Sequence, residues 1–365
     1  MKGSIYKDSS GRWKGVVDLP WKKPDGSRNQ KVVRGKGVPG SQDQKKDTQR
    51  LLNELIYEIE NNLYVQETNA TLEQFLKEWF VTYTAELQET TRQLYRMYID
   101  VHVVPPLGQL KLKGIKPMQL QNFYTEKLKK LSPNTVRKLH TFLNRVFDDA
   151  VVNRFIKYNP CQGVKQPRKI KTALNVYDED NFKSLLAGVE GTFDEVCILL
   201  AGICGLRRGE IFGLRLRDID KNNCKITIEE TAVRFNGEWI IKPPKSESGK
   251  RTITVPGFVL KVISNYLSSL SLVPERVFSE FRPDSYSKHF KRLLESNHLP
   301  HIRFHDLRHF NATMMLKYGI PDKVASERLG HSQVQVTRQI YQHVLPSMDI
   351  QASQIIENIF DTKAK

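Results

Sequence analysis

Five short motifs in the second half of the chain contain residue types that bind and attack phosphate esters. In chain order they are GLRRGE, PPKSESGKR, HDLRH, LGH and the tyrosine of QIYQH. Arginine stays charged and binds phosphate oxygens through two parallel hydrogen bonds, while histidine and lysine transfer protons. Tyr341 taken alone, at helical spacing from Val334 and Ile340, is more typical of a packed aromatic than of a nucleophile.

Arg207 and Glu210 are three residues apart at the start of a predicted helix. This spacing places them on one helix face, where the carboxylate can hold the guanidinium in position. An apolar helix is predicted to end near Gly205, so the pair lies at a buried junction, where an arginine needs a partner. An internal ion pair with no further role is the alternative interpretation.

Residues 241–256 form a basic, hairpin-like turn between two strand-like runs. Lys245 and Lys250 are its candidates for reaching a phosphate or for protonating a leaving oxygen. Lysines at the tips of such turns are usually solvated, so this turn alone indicates little.

His305 and Arg308 are three residues apart on a predicted helix and therefore point the same way. Arginine beside histidine suits an anion. His301, His305 and His309 have the i, i+4, i+8 spacing of a zinc site, but the HExxH pattern is missing and Arg308 would repel a cation. We predict no metal and no cofactor, because the GxxxxGK[ST] nucleotide motif is also missing.

The first 65 residues predict three short strands and a helix over residues 43–61. The strands mix aromatic and basic residues, which suits a sheet face that contacts DNA. The candidate contacts are Arg12, Trp13, Lys14, Lys31 and Arg34. A small basic domain with solvated lysines is the alternative.

Residues 66–160 predict a compact four-helix domain. Thr71 is the predicted N-cap of its first helix, and the second helix is predicted to end at Pro105 and Pro106. Residues 71–172 carry 18 basic and 8 acidic side chains, a net charge of +10. This domain, with Arg137 and Lys138 among its basic residues, therefore suits the grooves of duplex DNA.

Residues 161–173 predict an exposed linker, with Lys165, Arg168 and Lys169 as candidate DNA contacts. Residues 174–365 predict a mainly helical domain with short strands near residues 224–231, 237–242 and 250–255. The predicted fold class is therefore α+β and multidomain, with a three-stranded sheet and helix first and a small antiparallel sheet in the last domain.

The 365 residues include 57 Lys and Arg against 40 Asp and Glu, a net charge of +17, and the pI is near 9.6. This balance favours a polyanionic partner, with nucleic acid first and an anionic membrane second. The opening residues lack the apolar core of a signal peptide, and the apolar run at residues 196–204 is too short to cross a bilayer. We therefore expect a cytosolic protein with reduced, packed cysteines and no membrane partner.

In their order and separation, the five motifs resemble those of the tyrosine recombinases, also called the phage integrase family. The first two segments are similar to the arm-binding and core-binding domains of integrases from temperate phages and conjugative elements. The resemblance implies an arm-binding domain at residues 1–65, a core-binding domain at residues 66–160 and a catalytic domain at residues 174–365. It implies six catalytic residues, Arg207, Lys245, His305, Arg308, His331 and Tyr341. Ser246 departs from the family's usual threonine, so Lys250 remains an alternative to Lys245.

Such an enzyme cuts DNA when the tyrosine attacks a phosphodiester, which leaves a 3′ phosphotyrosyl link and a free 5′ hydroxyl. The arginines and His331 would bind the charged phosphate oxygens, His305 would accept the proton of Tyr341, and Lys245 would protonate the leaving oxygen. Since the link conserves the bond energy, the reaction needs neither metal nor ATP.

The resemblance also implies partners. These are double-stranded DNA at core and arm attachment sites, an excisionase and a host DNA-bending protein, in a bacterial cytoplasm and at its nucleoid. A homotetramer on DNA would be held by the C-terminal tail after Tyr341, although that tail could instead pack on its own domain. A type IB topoisomerase and a non-catalytic DNA-binding regulator are the alternative functions.

Overall fold

The computed structural model describes residues 1–22, 25–61, 64–65, 69–170, 175–235, 237–244, 247–272, 274–278 and 283–330, with the isolated residues 353 and 357. The chain divides into two compact units, residues 1–171 and 172–365. The division falls within the predicted linker. Each unit has hydrophobic clusters of its own.

A three-stranded antiparallel sheet and one helix form the N-terminal part of the first unit. The elements are β1 (Gly3–Lys7), β2 (Trp13–Asp18), β3 (Gln30–Val33) and α1 (Gln42–Glu60). Ser41 caps α1, because its hydroxyl accepts a hydrogen bond from the Gln44 N–H at 3.2 Å. Val17 and Leu52 are each 1% exposed and form the centre of a small core between sheet and helix. The predicted strands and helix are confirmed.

The rest of the first unit is helical. Its helices are α2 (Leu72–Tyr83), α3 (Glu89–Met97), α4 (Val104–Leu107), α5 (Pro117–Leu128) and α6 (Pro133–Val152). Thr71 caps α2 in a reciprocal capping box with Gln74, as predicted. The buried indole of Trp79 donates its N–H to Asp149 at 2.7 Å, which satisfies the polar atom of a ring in the middle of the core.

The prediction that Pro105 and Pro106 end the second helix is wrong. The chain continues from α3 through a π-helical stretch, Tyr98–Val103, into α4. Both prolines lie in the first turn of α4, where a backbone N–H needs no helical partner. Proline inside a helix removes a hydrogen bond and crowds the preceding turn. Here the turn before the two prolines is π-helical and not α-helical, and the helix continues through them.

The linker backbone at residues 164–170 lies against α6. The Asn134 amide donates to the Ile170 carbonyl at 2.9 Å and accepts from the Ile170 N–H at 3.2 Å. One turn further along α6, Arg137 donates to the Pro167 carbonyl at 2.8 Å. We call residues 164–170 the docked linker, because these contacts make the segment part of the first unit.

The second unit is mainly helical. Its helices are α7 (Glu179–Ala187), α8 (Phe193–Gly202), α9 (Arg208–Gly213), α10 (Gly257–Ser268), α11 (Pro283–Ser296), α12 (Asp306–Lys317) and α13 (Asp322–Leu329). Its short strands are β4 (Ile219–Asp220), β5 (Lys225–Ile228), β6 (Thr231–Phe235), β7 (Glu238–Lys242) and β8 (Arg251–Thr254). Eight of the ten α8 residues are buried, so this helix forms the centre of the core. The α+β class is confirmed.

The five short strands form two antiparallel sheets. One contains β4, β5 and β8 in that order, and the other contains β6 and β7. The residues between β7 and β8 therefore connect two sheets, whereas the sequence predicted a hairpin-like turn. Ile226 and Ile253 are paired across β5 and β8 and are both buried, which fixes the register of that sheet.

Three of the four cysteines are packed in the protein interior, as the sequence predicted. All four cysteines are free, and Cys161, Cys197 and Cys204 are buried. Burial raises the pKa of Cys161 and of Cys204 to about 12, so these thiols are packed and unreactive at neutral pH. In the part of the chain that the structure describes, no helix has both the length and the apolar character needed to cross a membrane.

Candidate active site

Arg207 and Glu210 meet at the start of α9. The chain leaves α8, turns at Gly205 with a left-handed φ of +71°, and enters α9 with Arg207 as the N-cap. Glu210 accepts from the Arg207 backbone N–H at 2.9 Å and from its guanidinium at 2.6 Å. The Arg207 side chain is 37% exposed and that of Glu210 is 3% exposed. The ion pair predicted from the spacing is confirmed, and its guanidinium reaches solvent.

A second arginine, Arg251 of β8, binds the same carboxylate. Its two terminal nitrogens donate to the two Glu210 oxygens at 3.1 and 2.9 Å. Burial alone would raise the pKa of Glu210, but the ion pairs with Arg251 and Arg207 outweigh it and lower the pKa, so the carboxylate is ionised at pH 7. Arg251 is a site residue that the sequence motifs did not predict. One feature of the sequence indicates its role. Arg251 lies two residues before Ile253 in β8, so both side chains point to the same, inward face, where an arginine needs a buried partner.

Arg308, in the first turn of α12, is 2% exposed. Its guanidinium donates to the backbone carbonyls of Gly205 and Leu329. Burial, followed by the charge of Arg207, lowers the pKa of Arg308 to about 9, which leaves it protonated at pH 7. Arg308 therefore joins the turn before α9 to the end of α13.

Three arginines converge on the C-terminal end of α13. Gly330 ends this helix in the left-handed conformation with φ 65° and ψ 45°. The consecutive carbonyls of residues 328–330 each accept a hydrogen bond from a different arginine. In the order of the carbonyls, the donors are Arg251, Arg308 and Arg207. The chain passes from this point directly into residue 331.

His305 is the residue that precedes α12, three positions before Arg308. The His305 side chain reaches solvent, yet the protein around it withdraws enough hydration to lower its pKa to about 4, and His309 and Arg308 act in the same direction. Its ring centre is 5.0 Å from that of His309, with the planes nearly perpendicular. The imidazole is therefore neutral at pH 7 and able to accept a proton.

His301 does not continue the helical series of His305 and His309, because it lies in an exposed stretch before α12. The i, i+4, i+8 spacing therefore does not form one helix face. Within the described ranges, no three His, Cys, Asp or Glu side chains are grouped to hold a metal ion.

Three of the predicted catalytic residues, Lys245, His331 and Tyr341, lie outside the described residues, and so does nearly all of the C-terminal tail. Lys250, the alternative to Lys245, is exposed just after a turn at residues 247–249. Of the six, the described part of the chain places Arg207, His305 and Arg308 around the turn before α9 and the start of α12.

The predicted DNA contacts of the N-terminal sheet lie on two faces. Lys31 is paired with Val17, which is buried against α1, and Trp13 has the same parity as Val17 along β2. Lys14 is paired with Tyr6 on the opposite, open face, with its ammonium 4.8 Å from the Tyr6 ring centre. Adjacent strand residues point to opposite faces, so Trp13 and Lys14 could not have shared one.

Trp13 is held on the α1 side of the sheet. Its indole N–H donates to the Gly40 carbonyl at 3.3 Å, and the Lys7 and Lys45 ammonium groups lie 5.2 and 4.8 Å from its ring centre. Arg12 and Arg34 are exposed just outside the strands, where Arg34 lies 3.5 Å from the Asp8 carboxylate.

The basic residues of α6 and of the docked linker are arranged differently. Lys138, Lys165, Arg168 and Lys169 are exposed. Arg137, in contrast, uses its guanidinium to hold the docked linker, so part of its hydrogen-bonding capacity is already occupied.

Comparison with known proteins matches both parts of the chain to one family. Residues 175–348 match the phage integrase family, and residues 71–128 match the phage integrase N-terminal SAM-like domain. A tyrosine recombinase XerC-like protein of Caldanaerobacter subterraneus subsp. tengcongensis is 26% identical over 355 residues, which cover 87% of this chain and 90% of that protein. The ICEBs1 integrase of Bacillus subtilis is 25% identical over 237 residues, which cover 60% of this chain and 63% of that integrase.

Solved structures share the fold. The Tn1549 transposon integrase in complex with transposon right end DNA has a TM-score of 0.67 at 19% identity, over 78% of this chain and 99% of that chain. A lambda integrase dimer bound to a COC′ core site has a TM-score of 0.59 at 16% identity, over 92% of this chain and 93% of that chain. With the two family domains present in order and this fold around Arg207 and Arg308, the chain belongs to the phage integrase family, the tyrosine recombinases that cut and rejoin DNA.

Proposed function

We propose that this chain integrates and excises a phage or other mobile element by site-specific strand exchange, with Tyr341 as the nucleophile. The observation that carries the proposal is the pairing of two fixed arginines, Arg207 and Arg308, beside a neutral His305. The relatives include a tyrosine recombinase XerC-like protein, the ICEBs1 integrase and the integrase of Mycobacterium phage L5, which supports this use over the topoisomerase and regulator alternatives.

In the proposed reaction, Tyr341 attacks a DNA phosphodiester. The phosphorus becomes five-coordinate, and extra negative charge develops on its non-bridging oxygens. Arg207 presents an exposed guanidinium to them, and His331 would supply a further donor. Arg308, whose guanidinium is buried and donates to the Gly205 and Leu329 carbonyls, would add positive charge behind Arg207 and hold the turn that carries it. These groups stabilise the transition state more than the ground state, which is what accelerates the step.

The pKa values indicate which groups release and accept protons. A tyrosine has an ordinary pKa near 10, so it must lose its proton as it attacks at pH 7. His305, neutral at that pH, would be the acceptor. As the bond from phosphorus to the Tyr341 oxygen forms, the bond to the 5′ oxygen breaks, and Lys245, or Lys250 in its place, protonates that oxygen.

The products are a 3′ phosphotyrosyl link and a free 5′ hydroxyl. In the second step, the 5′ hydroxyl of another strand loses its proton and attacks the phosphotyrosyl phosphorus. The bond from phosphorus to the Tyr341 oxygen breaks, that oxygen takes up a proton, and the exchange is complete. Because the phosphodiester bond energy is retained in the link, the step needs neither ATP nor metal. Side chains of this protein alone would catalyse it.

Binding to DNA would use the three predicted domains, with residues 1–65 on arm sites and residues 66–160 and 174–365 on the core site. On the first domain, the open sheet face with Lys14 is better placed than the α1 face with Trp13 and Lys31. On the second, Lys138 and the exposed basic residues of the docked linker are the best candidates.

Assembly would be a homotetramer on DNA, held by the C-terminal tail docking on a neighbouring copy. A lambda integrase tetramer bound to a Holliday junction shares the fold with a TM-score of 0.59 at 15% identity. An excisionase and a host DNA-bending protein would set direction, in the bacterial cytoplasm and at the nucleoid.

Covalent trapping tests the proposal. The full chain is incubated, with EDTA present, with a nicked suicide substrate that carries its attachment site, and adducts are separated on a denaturing gel. Wild type should form a protein–DNA adduct and Tyr341→Phe should form none, because phenylalanine has no oxygen nucleophile. Equal adduct from the two proteins, or none from wild type, would remove Tyr341 from its proposed role. Relaxation of plasmids that lack the site would favour a topoisomerase instead.

A further inference from the structure

We infer that Arg251 is a positioning residue of the catalytic site, which holds Arg207 and the end of α13 in one arrangement without touching DNA. The inference rests on the proposed function and adds to it a residue outside the six predicted catalytic residues. It follows from the burial of Arg251, from its hydrogen-bond partners, and from the contacts of those partners with Arg207 and the end of α13.

The two arginines that bind Glu210 differ in how far they are buried. Arg251 is 7% exposed and Glu210 is 3% exposed, whereas Arg207 is 37% exposed. Arg251 therefore lies on the protein side of the carboxylate and Arg207 on its solvent side. A DNA phosphate has access to Arg207 and not to Arg251.

The hydrogen bonds of Arg251 fix it on three sides. Besides its two bonds to Glu210, Arg251 donates from Nε to the Arg328 carbonyl at 2.7 Å and from Nη1 to the Gly249 carbonyl at 3.1 Å. All three guanidinium nitrogens thus have partners, as a buried arginine requires. Its planar fork matches the carboxylate, which the single ammonium of lysine cannot do.

These contacts close a ring. Arg251 holds Glu210, Glu210 holds Arg207, Arg207 donates to the Gly330 carbonyl at 2.5 Å, and the backbone leads back two residues to Arg328 and so to Arg251. The last carbonyls of a helix lack helical partners and favour cations. Without Arg251, Glu210 would retain only Arg207 and draw that guanidinium toward the buried side, and the end of α13 would lose a donor.

A substrate change makes this role measurable. Single-turnover cleavage by the full chain is compared on an ordinary phosphodiester and on a methylphosphonate, whose scissile group is neutral. An arginine that acts on phosphate charge matters less on the neutral substrate. Arg251→Ala should slow phosphodiester cleavage about 10- to 100-fold, by analogy with the loss of an outer partner that orients a metal ligand. It should leave DNA binding and methylphosphonate cleavage nearly unchanged, and Arg207→Ala should show the same substrate dependence.

Two further variants make the result decisive. Arg276→Ala is the matched control, since it also breaks a glutamate pair, with Glu230 at 2.7 Å, and a carbonyl contact, with Gly213 at 2.6 Å, and it should leave both rates unchanged. Arg251→Lys keeps the charge without the fork and should show a smaller loss with the same substrate dependence, which decides the matter if the alanine variant does not fold.

Two outcomes would overturn the inference. One is wild-type cleavage by both Arg251 variants. The other is an equal loss on both substrates, which would indicate a general packing role. If wild type itself forms no adduct, the proposed function fails first, and the two failures are thereby distinguished.

Discussion

Glu210 illustrates how one carboxylate can serve a site without contacting the substrate. It lies between two arginines of different exposure, and the more exposed one, Arg207, is the one a phosphate can reach. Its ionised state follows from the arginines, whose effect on its pKa exceeds that of burial. The buried carboxylate therefore fixes the orientation of Arg207 from the protein side before any DNA binds.

The pH dependence of cleavage should report His305. The proposed base acts in its neutral form, and it becomes protonated only below its lowered pKa, so activity should persist as the pH falls below 6.5, the ordinary histidine value. The measurement is single-turnover cleavage at DNA concentrations far below saturation, where the profile reports the free enzyme. An acid limb at or above pH 6.5 in wild type would contradict the assignment.

His309→Gln supplies the matched variant for that profile. His309 lowers the pKa of His305, so its removal should raise that pKa and move the acid limb to higher pH. An unchanged limb, or a shift to lower pH, would show that His305 is not the titrating base.

At the scale of elements, Gly330 at the end of α13 has a left-handed backbone conformation and lies close to Ser248 and Arg251. Gly330 has φ +65°, and a Cβ there would lie 2.7 Å from the Ser248 carbonyl oxygen and 2.9 Å from Arg251 Nη1. Gly319→Ala is the control, since Gly319 has φ +79° with open space around the added carbon. Both substitutions should cost roughly 1–2 kcal/mol of backbone strain.

Gly330→Ala should therefore be the more destabilised of the two in urea unfolding, and it alone should lose cleavage. The extra loss arises because the new methyl group displaces Arg251 and the turn that precedes β8. Equal stability and equal activity of the two variants would mean that the helix end does not bear on the site.

Local patterns predicted much of the fold, and each success rested on a short-range rule. The Thr71 cap and the Arg207–Glu210 pair both depend on residues within four positions. The π-helical stretch before Pro105 was not predicted. The rule that a proline ends a helix does not consider that the preceding turn can change its hydrogen-bonding pattern and let the helix continue.

Long-range contacts were beyond the same reasoning. Arg251 meets Glu210 across 41 positions, and this pairing depends on how the fold brings the start of β8 to Glu210, which no local pattern specifies. The two faces of the N-terminal sheet are the opposite case. Strand alternation alone separates Trp13 from Lys14, so that error came from grouping residues by type.

At the scale of the whole molecule, the first unit contains two separate hydrophobic clusters. One is built from the N-terminal sheet and α1, around Val17 and Leu52, and the other lies among α2 to α6, around Trp79. Separate cores are what independent domains require. This supports a boundary near residue 65 inside the first unit.

Deletion of residues 1–65 should therefore leave a folded remainder. Binding to arm sites should fall by about 10-fold or more as one of the linked DNA contacts is lost, whereas binding to the core site alone should be largely unchanged. Mobility-shift titrations on DNA with and without arm sites measure both. Unchanged arm binding would refute the role of this domain, and lost core binding would place the boundary elsewhere.

The docked linker has a thermodynamic consequence for DNA binding. Fixing the backbone of one residue costs about 1–2 kcal/mol of conformational entropy. Residues 164–170 are already held by Asn134 and Arg137, so that cost belongs to folding and not to association. Phosphate contacts made by Lys165, Arg168 and Lys169 would then add to affinity in full, because this basic segment meets DNA as a preorganised surface.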